Sequence, residues 1–265
     1  MNGTLLSTED INYEPVVAVV KNLRQQNIPL IPVTNNTRAE VEALSQKIGL
    51  NAPFVVEKGS GIFIPQGNSY FNVSQTETVD SYHLYQLGCT YTEARAALKA
   101  VQEEISKILR GFGDLDEENI QAIMGVSFAA ARRAKLREFS EYFLTPSRLE
   151  ITKLQTVAEE YGFKIISEGK LSLVTGGGAD SGKAITWLKK NYQINNSPKP
   201  CNITTVGLGA TKEDLPLLKA VDVPILIPTE EGVEPALKAQ KWQVSSEIGI
   251  CGWLSAIARF EQNTN

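Results

Sequence analysis

The outer parts of this chain alternate amphipathic helices with short apolar strands, and this alternation limits the fold more than any other feature. Apolar residues recur at helical spacing over residues 13–26, and residues 29–33 form a short apolar run typical of a buried strand. The same order returns later, with a helical pattern at 183–192 and a strand-like run at 203–208. Because helices that alternate with strands cover the faces of a parallel sheet, the sequence predicts an α/β fold.

The middle of the chain has a different pattern, with long helices and few strong strands. Its helical patterns lie at residues 92–109, 129–139 and 151–161, and two short strands follow at 163–166 and 171–174. We therefore predict a core domain formed by residues 1–79 and 181–265, with a second domain inserted at 80–180.

The composition excludes several classes of partner and mechanism. The 265 residues are 42% hydrophobic and 21% charged, and the net charge of -4 lacks the basic surplus that nucleic-acid binding requires. The sequence contains neither a basic N-terminal region nor an apolar stretch long enough to span a bilayer. We therefore expect a cytoplasmic protein without nucleic acid or membrane as partner. Three distant cysteines and a single histidine, His83, predict neither a disulfide framework nor a mechanism based on histidine pairs.

Several short segments carry the residues with chemical potential. They are Gly-Thr-Leu-Leu at 3–6, Arg-Glu-Phe-Ser-Glu-Tyr-Phe at 137–143, Asp-Ser-Gly-Lys-Ala at 180–184 and the run 207–218, which begins Gly-Leu-Gly. With Thr34 after an apolar strand, these segments resemble the mannosyl-3-phosphoglycerate phosphatases, a capped branch of the haloacid-dehalogenase (HAD) phosphohydrolases. The resemblance implies a HAD-like, Rossmann-type parallel sheet core with an inserted α+β cap of the C2B type.

The resemblance also implies a phosphoryl-binding site, in which the general acid is replaced and the nucleophile lies outside the given sequence. Thr34 would hold the phosphoryl oxygen, and Asn2 stands at the position of the general acid, where an amide cannot transfer a proton. The nucleophilic aspartate would directly precede Met1. We therefore expect the first core strand to be missing or substituted beside residues 31–33 and 203–206.

The positions for the site lysine and the metal are also altered. Ser181 stands where the family has a lysine, and Lys183 opens a helix two residues later. Asp214 retains a carboxylate for magnesium, whereas Ala210 replaces a second one and Glu213 stands where the family has asparagine. Because Mg²⁺ depends on oxygen ligands, we expect its binding to be weak or absent.

Substrate contacts follow from the resemblance alone. By it, Arg137, Glu138, Ser140 and Glu141 would face the glycosyl and glycerate parts of a phosphorylated ligand, and Lys170 stands where the branch has an arginine. Judged only by its residues, a segment so rich in arginine and glutamate is more typical of a solvated helix face held by i,i+3 and i,i+4 pairs.

The glycine-rich segment 177–183 also fits the start of a phosphate-binding P-loop. Ala184 follows it, however, and lacks the hydroxyl that normally binds magnesium there. Nucleotide hydrolysis is therefore disfavoured. Anion binding at the helix N-terminus and a turn without ligand remain as alternatives.

Three functions fit these observations. The first is a pseudophosphatase that binds a phosphorylated sugar, a glycerate or a protein partner without turnover. The second is an active magnesium-dependent phosphatase whose nucleophile strand lies outside this sequence. The third is a structural or interaction protein without a ligand. The replacements at Asn2, Ser181 and Ala210 favour the first.

Overall fold

The computed structural model describes residues 12–193 and 203–264, so the prediction for Asn2 lies outside the described residues. The first elements are α1 (Glu14–Gln25), α2 (Arg38–Ile48), β1 (Phe54–Val56), β2 (Gly61–Pro65), β3 (Glu77–Val79) and β4 (Tyr82–Gln86). The middle elements are α3 (Tyr91–Ile105), α4 (Glu117–Met124), α5 (Phe128–Lys135), β5 (Ser140–Leu144), α6 (Arg148–Glu160), β6 (Phe163–Glu168) and β7 (Leu171–Gly176). The last are α7 (Ser181–Asn191), β8 (Val206–Gly209), α8 (Leu215–Ala220), β9 (Val223–Leu226), α9 (Pro235–Lys238), β10 (Gln243–Val244) and α10 (Gly249–Thr264).

Side-chain caps fix where the helices begin. At the start of α2, the Thr37 hydroxyl accepts a hydrogen bond from the Glu40 amide, and the Glu40 carboxylate accepts one from the Thr37 amide. Thr90 and Glu93 form the same reciprocal pair at the start of α3. These capping boxes satisfy amide donors that the first turn of a helix leaves unpaired. The amino-acid sequence of 38–48 also has helical spacing of its apolar residues, and the structure forms α2 over this range.

Two sheets form the core. β8 and β9 pair in parallel and are connected through α8, and β10 adds a parallel strand beside β9. The second sheet is antiparallel, with the order β1-β2-β4-β3. Its buried residues Val55 and Ile62 share one apolar cluster with Ala184 of α7 and Leu218 of α8. The predicted α/β core is therefore confirmed, with an antiparallel extension.

The strand predicted at residues 29–33 is much shorter than expected. Among the described residues, this segment forms one β-bridge, a parallel one between Val33 and Val55. The Val55 amide donates to the Pro32 carbonyl at 2.8 Å, and the Thr34 amide donates to the Val55 carbonyl at 3.0 Å. Pro29 and Pro32 have no N–H to give to a ladder, which explains why the regular strand is not formed.

A cavity of about 540 Å³ lies between this segment and β8. Its wall is mainly apolar and includes Ile31, Leu208, Trp253 and Ile257. The cavity lies where the sequence predicts a missing or substituted strand, beside residues 31–33 and 203–206. Residues 1–11, which precede α1, are outside the described part of the chain.

The middle of the chain forms an antiparallel sheet covered by helices on both faces. The strand order is β5-β7-β6. Phe143 and Val174 pack with α3 and α6 on one face, whereas Tyr142 and Leu173 pack with α4 and α5 on the other. This α+β unit agrees with the predicted cap. The helix predicted at 129–139 ends at Lys135. The sequence does not predict β5, in which the polar Ser140 and Glu141 are as buried as Phe143.

The predicted domain boundaries fall at identifiable points of this structure. Residue 80 lies between β3 and β4, which pair with each other, and Asp180 is the N-cap of α7. The division at residues 80 and 180 stays a prediction. Within the described ranges, no helix combines the length and the apolarity that crossing a bilayer would take.

Candidate functional site

A second cavity, of about 290 Å³, lies between the core and the cap, and we call it the core–cap cavity. The end of the 29–33 segment contributes Thr34, the turn after β1 contributes Lys58, and β6 contributes Lys164. Ser181 at the start of α7 and Asp214 after β8 also line the cavity. Loops that follow neighbouring core strands therefore meet here, which is where α/β proteins commonly bind ligands.

Thr34 is held firmly at the wall of the core–cap cavity. Its side chain is buried, and its Oγ1 accepts a hydrogen bond from the Asn36 amide at 3.2 Å. Its carbonyl accepts one from the Lys58 amide at 3.3 Å. The hydroxyl proton remains available for a ligand, because a hydroxyl can accept and donate at once. This geometry agrees with the predicted role of Thr34, which stays a prediction.

The loop after β8 is organised around Asp214. Its Oδ2 accepts hydrogen bonds from the amides of Ala210 at 2.8 Å and Thr211 at 3.0 Å. Ala210 itself is 2% exposed and packs in an apolar cluster with Ile225 and Ile227. Asp214 therefore stabilises its own loop, and the methyl group of Ala210 lies among apolar side chains.

The carboxylates at the cavity do not form a metal cage. The resemblance implies Mg²⁺, which takes oxygen ligands in near-octahedral geometry. Three carboxylates line the cavity, those of Asp180, Glu213 and Asp214. Asp180 Oδ1 accepts the Lys183 amide at 2.9 Å, so it serves as a helix cap. Within the described residues, no group of three or more Asp, Glu, His or Cys is arranged to hold a metal. The expected weak binding of Mg²⁺ stays a prediction.

The structure separates the two candidates for the site lysine. Ser181 lines the core–cap cavity, whereas Lys183 is exposed and outside its wall. Three lysines that the sequence does not predict line the cavity instead, the partly buried Lys58 and Lys164 and the exposed Lys212. Lys58 forms an ion pair with Glu168 of β6. Lys164 and Ile166 are alternate residues of β6 and therefore share one face of the strand, and both line the cavity.

Arg137 and Ser140 lie in a buried network around Glu57. The Glu57 carboxylate accepts hydrogen bonds from the amides of Glu138 at 2.8 Å and Phe139 at 3.2 Å, and from the Ser140 hydroxyl. Arg137 Nε lies 3.4 Å from Glu57 Oε2, and both side chains are almost fully buried. We call Glu57, Arg137 and Ser140 the Glu57 network. It joins the turn after β1 in the core to the start of β5 in the cap.

The other predicted substrate residues also lie outside the wall of the core–cap cavity. Glu138 pairs with Arg38 at 3.0 Å, and Glu141 pairs with Arg95 at 2.9 Å. Burial raises the pKa of both the Glu138 and the Glu141 carboxyl, and the paired arginines oppose that effect. Lys170 is exposed in the turn between β6 and β7. That these residues, with Arg137 and Ser140, contact a ligand stays a prediction.

A second link joins core and cap through Lys58 and Glu168, and it is connected to Arg137 by Tyr142. The Arg137 guanidinium lies over the Tyr142 ring, 4.4 Å from its centre. The Tyr142 hydroxyl donates to Glu168 Oε2 at 2.9 Å, and Glu168 pairs with Lys58. Burial raises the pKa of Tyr142, so the phenol keeps its proton for this bond. Adjacent core residues, Glu57 and Lys58, are therefore tied to the cap at two points.

Curated proteins of known activity resemble this chain over most of its length. A glucosyl-3-phosphoglycerate/mannosyl-3-phosphoglycerate phosphatase from Persephonella marina is 34% identical over 228 residues, which are 86% of this chain and 82% of the relative. The chain belongs to this phosphatase family. A phosphatase of the same description from Methanococcoides burtonii is 30% identical over 259 residues, 97% of this chain and 93% of the relative. No family model matches the chain.

Solved structures show the same fold at low sequence identity. A Thermoplasma acidophilum protein, 0175, superposes with a TM-score of 0.65 at 16% identity, covering 98% of this chain and 94% of its own. A haloacid dehalogenase-like hydrolase from B. subtilis superposes with a TM-score of 0.62 at 13% identity, covering 92% of each chain. The predicted HAD-like fold and the predicted family are therefore confirmed.

Proposed function

We propose that this member of the phosphatase family binds a phosphorylated sugar or glycerate in the core–cap cavity and that its turnover is impaired. The observation that carries the proposal is the cavity wall, in which the buried Thr34 hydroxyl, three lysines and the start of α7 come together. A helix N-terminus and ammonium groups both favour an anion, and a hydroxyl can donate to a phosphoryl oxygen. The relatives named as sugar-phosphoglycerate phosphatases indicate the class of ligand.

The proposed loss of turnover rests on three replaced side chains. Ser181 offers a neutral hydroxyl where the resemblance expects a lysine, and Ala210 offers a buried methyl group where it expects a metal ligand. Asn2 offers an amide in place of a general acid. General acid catalysis typically contributes ~10²–10⁴-fold to a rate, so this replacement alone would slow hydrolysis severely.

The second candidate is an active phosphatase of the same family. The 34% identity to the Persephonella marina enzyme over most of both chains favours it. Both candidates bind a phosphorylated ligand, and they differ only in the release of inorganic phosphate. A protein partner and the cytoplasmic location stay predictions.

Replacing Thr34 with valine is expected to weaken binding of 3-phosphoglycerate by ~10-fold, because the buried cavity wall loses a hydrogen-bond donor to the phosphoryl group. Isothermal titration of the wild type and of Thr34→Val would measure this change. Thr34→Ser keeps the hydroxyl and serves as the matched control, with affinity close to that of the wild type. Binding of unphosphorylated glycerate with equal affinity, or no binding of 3-phosphoglycerate by the wild type, would contradict the proposal.

A further inference from the structure

We propose that Lys164, a cap residue, supplies the positive charge for the phosphoryl group in the core–cap cavity, where Ser181 replaces the lysine of the family. This inference rests on the proposed function and adds a binding residue to it. The charge would then come from β6 of the cap and not from the first turn of α7.

The position of Lys164 supports this role. Lys164 and Ile166 are alternate residues of β6, and both line the cavity. The Lys164 Nζ donates a hydrogen bond to the Ala179 carbonyl at 2.5 Å. Ala179 is followed directly by Asp180 and Ser181, and all three line the same cavity. The ammonium group of Lys164 is therefore anchored to the segment that carries Ser181.

The bonding of Lys164 differs from that of the other lysines near the cavity. Lys58 is already paired with Glu168. Lys183 and Lys212 are exposed, and Lys183 is outside the cavity wall. Lys164 is partly buried and forms no ion pair within the described part of the chain. Its one hydrogen bond to a neutral carbonyl leaves two of its three donors for a ligand.

The electrostatics of the site agree with an anionic ligand. Burial lowers the pKa of Lys164, because the charged ammonium is partly removed from water, and the positive charge of Lys183 acts in the same direction. Asp180 has the opposite effect on the pKa but lies beyond ion-pair distance among the described contacts. A phosphoryl group that contacts Lys164 would compensate the lost hydration through charge-assisted hydrogen bonds. The geometry thus places a partly desolvated cation beside the predicted phosphoryl position.

Replacing Lys164 with methionine tests the inference, because methionine keeps the apolar stem and removes the charge. Titration with inorganic phosphate is expected to show affinity reduced by ~10-fold or more relative to the wild type. Lys183→Met is the matched control, since it removes an exposed charge close to the same helix start, and its affinity is expected to stay within about threefold of the wild type. Thermal unfolding of each variant would verify that the fold is kept.

A rescue separates binding from a structural role of the Lys164 side chain. Adding Ser181→Lys to the Lys164→Met variant is expected to restore phosphate affinity, because a second lysine then reaches the same cavity from α7. Equal affinities of the wild type and Lys164→Met would overturn the inference, as would a complete lack of rescue by Ser181→Lys. Failure of the wild type to bind phosphate at all would instead overturn the proposed function.

Discussion

Replacing Glu57 with glutamine is expected to lower the free energy of unfolding by about 3–5 kcal/mol, because it leaves the buried Arg137 without its carboxylate. The glutamine NH₂ would also replace one of the two acceptor oxygens, so it would face either the Glu138 amide or the Phe139 amide and the Ser140 hydroxyl, which are themselves donors. Urea unfolding followed by circular dichroism would measure the change. The Glu57 network joins core and cap, so both parts are expected to lose stability together.

The same chemical change at an exposed ion pair provides the control for Glu57→Gln. Glu117 lies 3.7 Å from Lys135 on the surface of the cap, and both side chains are partly exposed. Exposed pairs of this kind contribute ~0–1 kcal/mol, so Glu117→Gln is expected to have little effect. Equal stabilities of the two variants would contradict the account of the Glu57 network.

Replacing Gly59 with alanine is expected to destabilise the protein by roughly 3–5 kcal/mol, since left-handed backbone strain and overpacking add together. Gly59 has a φ of +86°, and a Cβ at this position would lie 2.3 Å from the Asp180 carbonyl carbon and 2.4 Å from the Ser181 nitrogen. Backbone atoms cannot rotate away, so the start of α7 would have to move. Unfolding in urea measures the loss of stability, and titration with inorganic phosphate reports the expected loss of the site.

Gly67 provides a control that isolates the steric part of the Gly59 effect. It has a similar φ of +79°, but an added Cβ would meet nothing within 4 Å. Gly67→Ala therefore tests backbone strain alone and is expected to cost about 1 kcal/mol. If Gly59→Ala is no more costly than Gly67→Ala, the turn after β1 does not support the cavity as described.

Helix positions could be predicted from this sequence because their signals are local. The capping residue Thr37 and the left-handed Gly49 mark the two ends of α2 directly. The segment 29–33 and β5 could not be predicted in the same way. Pro29 and Pro32 interrupt hydrogen bonding in the first, and in β5 the buried Ser140 and Glu141 conceal the apolar alternation that normally identifies a strand.

The sequence predicts those residues of the candidate site that lie in short recognisable motifs. Thr34, Ser181 and Asp214 do line one cavity, although they are far apart in the sequence. The alternation along β6 puts Lys164 on the same face as Ile166, but the cavity that this face lines depends on a tertiary contact, the approach of β6 to the start of α7. The buried position of Arg137 also depends on a tertiary contact, its ion pair with Glu57. Glu57 is distant in the sequence, and no local motif predicts that the two residues pair.

The most direct test of the central claim is a ³¹P NMR experiment on one sample that contains the full chain, Mg²⁺ and mannosyl-3-phosphoglycerate. We predict that the phosphoryl resonance of the ligand shifts or broadens on binding, while no signal of inorganic phosphate grows above that of a protein-free sample. A growing signal of inorganic phosphate that disappears in the Asp214→Ala variant would contradict the account and identify the chain as an active phosphatase.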